Sequence, residues 1–226
     1  MTKLPLRLIG LFLLLAAVTF VASADSGTLT LVNGGSNAMG GVYVGPYNFT
    51  WTSNGQDPSI QLVCDDYSHE VYQGESWTAT TYLLSAMNGP TGQFPGSSLN
   101  QYEAAALLAQ QIFASSNSTQ IGLMQYALWD IFTPGASNSV YSTWTTQEQT
   151  DFGGYLTEAQ NVIANGCSNC NFSDIVIYTP QPNTEHPTYG LPQEYIGLIN
   201  VPEPGSLMLL VTGLFAFLAF RFISKH

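Results

Sequence analysis

The chain has 226 residues, and its 15 Asp and Glu against four Lys and Arg give a formal net charge of −11. The four cations all lie near the ends, so residues 25–200 carry no Lys or Arg. Such a segment repels phosphate backbones at neutral pH, which excludes nucleic-acid binding.

Residues 1–24 have the order of a secretory signal peptide. Two cations precede an apolar stretch at 8–21, and Ala-Ser-Ala at 22–24 supplies the small residues of a cleavage site. We expect cleavage after Ala24. The cations at both ends of the chain then place residues 25–200 outside the inner membrane by the positive-inside rule.

The first half of the exported segment has the alternation of β-structure. Apolar and polar residues alternate over short runs bounded by turn residues such as Asn-Gly, which predicts strands. The predicted strands cover about 27–32, 42–51, 60–67 and 75–84. Pro46 makes the second of these a bent or an edge strand.

The middle of the segment changes to the helical period. We predict a helix over 99–114 after the cap Ser98, and a second helix from 118 or 119 to 132. A third helix begins after Thr145, which forms a capping-box pair with Glu148, and ends at Gly166. Two further strands follow, at about 174–179 and 194–201. The predicted fold is therefore α+β: a β-rich framework, sandwich or barrel-like, with a three-helix insertion.

The C-terminal 26 residues have a different composition. Val201, Pro202, Glu203 and Pro204 precede a run without charge to residue 220, and cations follow. Such a run predicts a single short transmembrane helix at about 207–223. The Pro-Glu-Pro triad, apolar stretch and basic end resemble the PEP-CTERM sorting tail of Gram-negative bacteria. The resemblance implies recognition by an exosortase and removal during export, and the alternative is a plain membrane anchor.

These segments predict a signal peptide at 1–24, an extracytoplasmic domain at 25–200 and a sorting tail at 201–226. We expect the chain to be exported, held in the inner membrane by its C-terminus, and then placed at the cell surface or outside the cell. The expected partners are an exosortase-type sorting enzyme, the inner membrane, and either exopolysaccharide or a surface amine.

Cys167 and Cys170 are spaced closely enough in a polar loop to form a disulfide in an oxidising compartment. A zinc site needs more ligands than this pair, and the histidines are scattered along the sequence. A redox role is weak because no strand-to-helix entry precedes the pair. We therefore expect a structural disulfide, no metal site and no cofactor.

The remaining cysteine, Cys64, lies within Leu-Val-Cys-Asp-Asp-Tyr-Ser-His, and Gln125 lies within Leu-Met-Gln-Tyr-Ala-Leu-Trp-Asp-Ile. These segments resemble the Cys and Gln-x-Ala-x-Trp segments of thioester-forming surface domains. The resemblance implies that Cys64 supplies sulfur, that Gln125 supplies the acyl carbon, and that Ala127 and Trp129 exclude water. The alternative is an inert buried thiol beside a structural glutamine.

Other chemistry has weaker support in the sequence. His69 lies five residues from Cys64, and along a strand this odd offset places the two on opposite faces. Pairs such as Asp65 with Asp66, or Asp66 with Glu70, have the oxygen ligands that calcium prefers, although no EF-hand spacing is present.

Two classes of function follow. The first is a non-enzymatic envelope or extracellular-matrix protein, an adhesin if the thioester forms. The second is a secreted polysaccharide hydrolase that uses acids such as Asp66, Glu70 or Glu103. A hydrolase needs two carboxylates facing across a cleft, whereas the adhesin needs Cys64 and Gln125 in contact.

Overall fold

The computed structural model describes residues 24–87, 92–94, 96–182 and 190–199. The strands are β1 (Asp25–Asn33), β2 (Ala38–Met39), β3 (Val42–Tyr43), β4 (Tyr47–Thr52), β5 (Ser59–Cys64), β6 (Ser76–Leu83), β7 (Ile175–Pro180) and β8 (Tyr195–Leu198). The helices are α1 (Leu99–Ala114), α2 (Ser118–Phe132), α3 (Asn138–Tyr141) and α4 (Thr146–Asn165). All four helices lie between β6 and β7 in the chain.

Six strands form a closed antiparallel barrel in the order β1-β4-β5-β8-β7-β6. The alternation of side chains decides which residues point inward: on β4, Tyr47, Phe49 and Trp51 are buried while the residues between them are partly exposed. The other two strands, β2 and β3, pair as a small hairpin outside the barrel.

Aromatic side chains fill part of the barrel interior. The ring of Phe49 lies 4.7 Å from that of Tyr195 and 5.8 Å from that of Trp77, both in edge-to-face geometry. Tyr47 meets Tyr195 from another side at 5.8 Å. Edge-to-face pairs of this kind add about 0.5–1.5 kcal/mol each to the effect of burial. They fix β8 against β4 and β6 at the point where the candidate site begins.

The three longer helices pack against one another, and α2 is the most deeply buried of them. Ser98 caps α1 and Thr145 caps α4, each in a capping box, and Asn117 caps α2 by accepting hydrogen bonds from Thr119 and Gln120. Gly122 lets the β2–β3 hairpin approach α2 closely, since a Cβ there would lie 2.7 Å from the Met39 side chain.

The predicted α+β fold is confirmed, and the framework is a barrel. The structure adds the short helix α3 to the predicted three. It also ends β5 at Cys64, whereas the alternation had predicted a strand to residue 67. None of the helices within the described residues is long and apolar enough to cross a membrane. The predicted signal peptide up to residue 23, the sorting motif Val201–Pro204 and the helix at about 207–223 lie outside the described residues.

Substitutions at a buried and at an exposed position of β1 should have very different effects on stability. Leu29 is fully buried, whereas Val32 is 43% exposed. Leu29→Ala should lower the free energy of unfolding by about 2–5 kcal/mol because it leaves a cavity in the barrel. Val32→Ala should change it by no more than about 0.5 kcal/mol. Equal effects in urea unfolding would contradict the register of β1.

Candidate functional site

The structure brings Cys64 and Gln125 together, although they are 61 residues apart in the chain. The Nε2 of Gln125 donates a hydrogen bond of 2.6 Å to the backbone oxygen of Cys64. The Oε1 of Gln125 accepts a hydrogen bond of 3.2 Å from the backbone N–H of Gly45. Both side chains are fully buried. The Gln125 carboxamide therefore joins helix α2 to the end of β5 and to the segment before β4.

The local sequence explains why these groups meet. Cys64 is the last residue of β5, whose final residues are all buried. Gln125 lies in the middle of α2, where residues 121–129 are buried without interruption. A glutamine on such a helix must satisfy its carboxamide inside the protein, and the two backbone groups do so.

The thiol of Cys64 is enclosed, and its surroundings favour the protonated form. Its sulfur donates a hydrogen bond of 3.1 Å to the backbone oxygen of Asp66. Burial raises the pKa of the Cys64 thiol, and the carboxyls of Asp66 and Asp65 raise it further, while the hydrogen bond to the Asp66 backbone acts in the opposite direction. The thiol form is therefore favoured over the reactive thiolate.

Aromatic rings surround this pair. Trp129 lies one helical turn after Gln125, and its ring packs 5.1 Å from both Tyr67 and Tyr126. On the barrel side, burial and then the proximity of Cys64 raise the pKa of Tyr47. The packing around Trp129 is the arrangement that a water-sensitive acyl group requires.

His69 and Asp66 form a hydrogen-bonded pair beside the thiol. The Nδ1 of His69 lies 2.6 Å from Oδ2 of Asp66, and that carboxylate also accepts hydrogen bonds from the backbone of Ser68 and from the side chain of Gln93. The predicted separation of His69 from Cys64 on opposite strand faces is wrong, because β5 ends at Cys64 and the chain turns. Asp66 links His69 to the Cys64 sulfur. Its carboxylate contacts His69, and its backbone oxygen accepts the hydrogen bond of the Cys64 thiol.

A buried carboxyl pair, Asp65 and Glu194, lies behind this site. Glu194 accepts hydrogen bonds from Tyr102 at 2.8 Å, from the backbone of Gln93 at 2.7 Å, and from Thr179. In the described part of the chain no group donates to the carboxyl oxygens of Asp65. Burial, then Glu194 and Asp66, raise the pKa of Asp65, and burial raises that of Glu194.

Sequence reasoning missed the role of Glu194 and considered Asp65 only as a calcium ligand paired with Asp66. The available signal was the absence of Lys and Arg between residues 25 and 200. An acidic residue directly before an apolar strand in such a segment has no cation to pair with, so burial leaves it only hydroxyl, amide or carboxyl partners.

A cavity of about 620 Å³ opens over the site. Trp129 and Tyr47, which both neighbour the Cys64 sulfur, line it together with Tyr67, His69 and Gln193. The outer wall includes Glu70 and the exposed ring of Tyr43 from the β2–β3 hairpin. The cavity therefore reaches from solvent to the rings that cover the Cys64–Gln125 contact.

The other predicted residues lie away from this contact. Cys167 and Cys170 form a disulfide after α4, with their Cα atoms 5.4 Å apart. Glu70 is exposed and accepts a hydrogen bond from Tyr72, while Glu103 is half-buried on α1. Over the described ranges, no cluster of three or more His, Cys, Asp or Glu side chains is placed to hold a metal ion.

The buried carboxyl pair predicts an unusual dependence of stability on pH. The raised pKa of Asp65 means that the folded chain holds its proton more tightly than the unfolded chain does. The contribution of Asp65 to stability is therefore fully present below its pKa in the unfolded chain, about 4, and is lost as pH rises towards its raised pKa in the folded chain. Asp65→Asn should remove part of this loss and raise the free energy of unfolding at pH 8 by about 1 kcal/mol or more.

Denaturant unfolding at pH 5 and pH 8 measures this effect, and Asp57→Asn, on an exposed turn, is the matched control. An Asp65→Asn protein that loses stability at pH 8 would contradict the assignment.

Comparison with protein-family models matches residues 200–223 to the PEP-CTERM protein-sorting motif. Searches of curated proteins and of solved structures found no match to the chain. The match covers the tail and not the barrel, so it informs on sorting alone. The chain carries a PEP-CTERM protein-sorting motif at residues 200–223, and this motif indicates export and sorting by an exosortase.

Proposed function

We propose that the exported domain is a non-enzymatic surface or matrix protein that stores a thioester between Cys64 and Gln125 and uses it to attach to a partner. The observation that carries the proposal is the 2.6 Å hydrogen bond between the Gln125 carboxamide and the Cys64 backbone, with both residues fully buried. The resemblance of both sequence segments to thioester-forming surface domains supports the same reading.

Formation of the bond needs no further reactant. The Cys64 sulfur attacks the Gln125 carbonyl carbon, a carbon–sulfur bond forms, and the carbon–nitrogen bond breaks. The thiol proton leaves with the amide nitrogen, which departs as ammonia. The Gly45 N–H already points at Gln125 Oε1, where negative charge develops during the attack, so it serves as an oxyanion donor. The hydrogen bond from Gln125 to the Cys64 backbone holds the carboxamide next to this cysteine, and that proximity favours an otherwise slow reaction.

The same surroundings preserve the product. The buried position excludes water, and the raised pKa of the Cys64 thiol makes it a poor leaving group. A nucleophile that enters reverses the bond change: its nitrogen bonds to the acyl carbon and Cys64 is released as a thiol. Each domain reacts once, so the process is attachment rather than turnover.

The charge of the domain suits a partner that carries amines. Residues 25–200 contain no lysine that could consume the acyl group, and their acidic character attracts cationic groups. A surface amine is therefore the proposed target, and adhesion or matrix attachment is the proposed result.

The hydrolase alternative receives no such support. Of the described residues, Glu70 is the one carboxylate that lines the cavity, and a hydrolase of this kind needs a second across the cleft. Asp66 faces His69 and Gln93 instead.

Intact mass spectrometry of the purified exported domain tests the thioester. The mass should fall below the calculated value by one ammonia, in addition to the two hydrogens lost in the disulfide. Methylamine should take the place of the lost ammonia, so the product should be heavier than the calculated value by one CH2 group, apart from the hydrogens lost in the disulfide. Cys64→Ala and Gln125→Glu should each abolish the loss of ammonia.

Thiol labelling separates the alternatives. After denaturation, an inert buried thiol reacts with iodoacetamide, whereas a thioester protects the sulfur until it is cleaved. Cys64 that labels fully in fresh denatured protein of unshifted mass would refute the thioester and leave Gln125 as a structural contact.

The sorting motif makes a separate prediction. In the native host, the released protein should end near Pro204, because the exosortase removes the apolar tail. Glu203→Ala should retain the full-length chain in the membrane fraction. C-terminal mass spectrometry of both fractions gives the answer, and Asp57→Ala, at an exposed position outside the motif, is the control. Equal release of both variants would contradict processing at the motif.

A further inference from the structure

We propose that His69, oriented by Asp66, transfers the proton when the thioester captures an amine, and that the cavity over Trp129 and Tyr47 is the route by which that amine arrives. The inference rests on the proposed thioester and assigns a proton-transfer residue to it.

An acidic domain creates a specific difficulty for amine capture. The absence of cations from residues 25–200 favours the approach of positively charged amines, yet a protonated amine has no lone pair with which to attack. The nitrogen must lose a proton at the site. The released Cys64 sulfur must gain one, because burial and two neighbouring carboxyls raise its pKa.

His69 has the arrangement of an oriented base. The Nδ1 of His69 lies 2.6 Å from a buried carboxylate and 3.0 Å from Nε2 of Gln93. We assign the proton to Nδ1 because the closer partner is the charged acceptor, and this tautomer leaves the lone pair on Nε2. Asp66 is itself fixed, since Gln93 donates to its Oδ2 at 2.8 Å and Ser68 donates to its Oδ1 at 2.8 Å. A buried carboxylate that holds a histidine tautomer is the geometry of a general base.

His69 lies on the wall of the cavity, on the side of the residue that accepts the hydrogen bond of the Cys64 thiol. Its side chain is 31% exposed and lines the cavity, together with Trp129 and Tyr47. Gln193 locks this wall, because its Nε2 donates to the backbone oxygens of Asp66 and His69 at 2.9 and 2.6 Å. The Asp66 oxygen that Gln193 contacts is also the acceptor for the Cys64 thiol.

The proposed step balances without another reactant. The ammonium group first gives one proton through Nε2 of His69 to solvent, to which this side chain is partly exposed. The neutral amine nitrogen then bonds to the Gln125 acyl carbon and gives a second proton to Nε2 of His69. The carbon–sulfur bond breaks, and the electron pair stays on the Cys64 sulfur. The imidazolium then returns the proton to that sulfur, so the products are an amide at Gln125 and a thiol at Cys64.

The experiment measures the rate at which methylamine is incorporated, by intact mass, in protein that already shows the loss of ammonia. His69→Gln should retain the thioester and lower the rate about 100-fold, the lower end of the usual effect of a general base. Added imidazole should restore part of the rate, which a merely structural role would not allow. Gln73→Ala, on an exposed part of the same wall, is the control and should react at the native rate.

Asp66→Asn gives a second test whose sign is diagnostic. Removing the charge of Asp66 lowers the pKa of the Cys64 thiol and improves the leaving group, so a purely electrostatic role predicts faster capture. The proposed role of Asp66 in orienting His69 predicts slower capture. The new amide group at position 66 donates to Nδ1 of His69 and so moves the proton to Nε2. Circular dichroism confirms that each variant is folded.

The outcomes separate this inference from the proposed function. Native protein without the loss of ammonia overturns both. Native protein that reacts with methylamine while His69→Gln reacts equally fast, or Asp66→Asn reacts faster, retains the thioester and overturns the role of His69. A folded His69→Gln protein that never loses ammonia places His69 in formation of the bond and contradicts a role in capture alone.

Discussion

The carboxamide of Gln125 is the contact on which the arrangement of the domain depends. It is a neutral polar group in a fully buried place, and it is satisfied by one backbone group from the end of β5 and one from the segment before β4. An apolar residue at this position would leave both backbone groups without a partner, at a cost of about 1–3 kcal/mol for each. The same contact ties helix α2 to the barrel at the end of β5 and before β4. Residue 125 therefore has a structural role that depends on both ends of its carboxamide.

The lack of cations shapes the rest of the interior. Buried acids in most proteins are paired with Lys or Arg, but residues 25–200 offer neither. Glu194 instead collects hydroxyl and amide donors, and Asp65 relies on retaining its proton. Asp66 uses a histidine and a glutamine side chain. The carboxyls of Asp65, Asp66 and Glu194 lie close together next to Cys64. A substitution at any of them therefore alters the electrostatic surroundings of the Cys64 thiol.

Much of the fold could be predicted because the local signals agree with one another. Helix α1 has the predicted limits, since Ser98 caps it and its apolar residues recur at the helical period. Periodicity alone does not indicate the hydrogen bond between Gln125 and the Cys64 backbone, because the two residues are 61 positions apart in the chain. What could not be predicted depends on long-range geometry. The closure of the sheet follows from the pairing of β1 with both β4 and β6, and the end of β5 at Cys64 depends on the contact of Gln193 with the chain beyond it.

The closed barrel also limits how the domain can recognise another molecule. Each of its six strands is hydrogen-bonded on both sides, so no strand is open to extension by a partner's peptide. Copies of the chain therefore cannot join through these barrel strands into growing sheets. The groups that the domain offers to another molecule are the side chains of its loops, its helices and the β2–β3 hairpin.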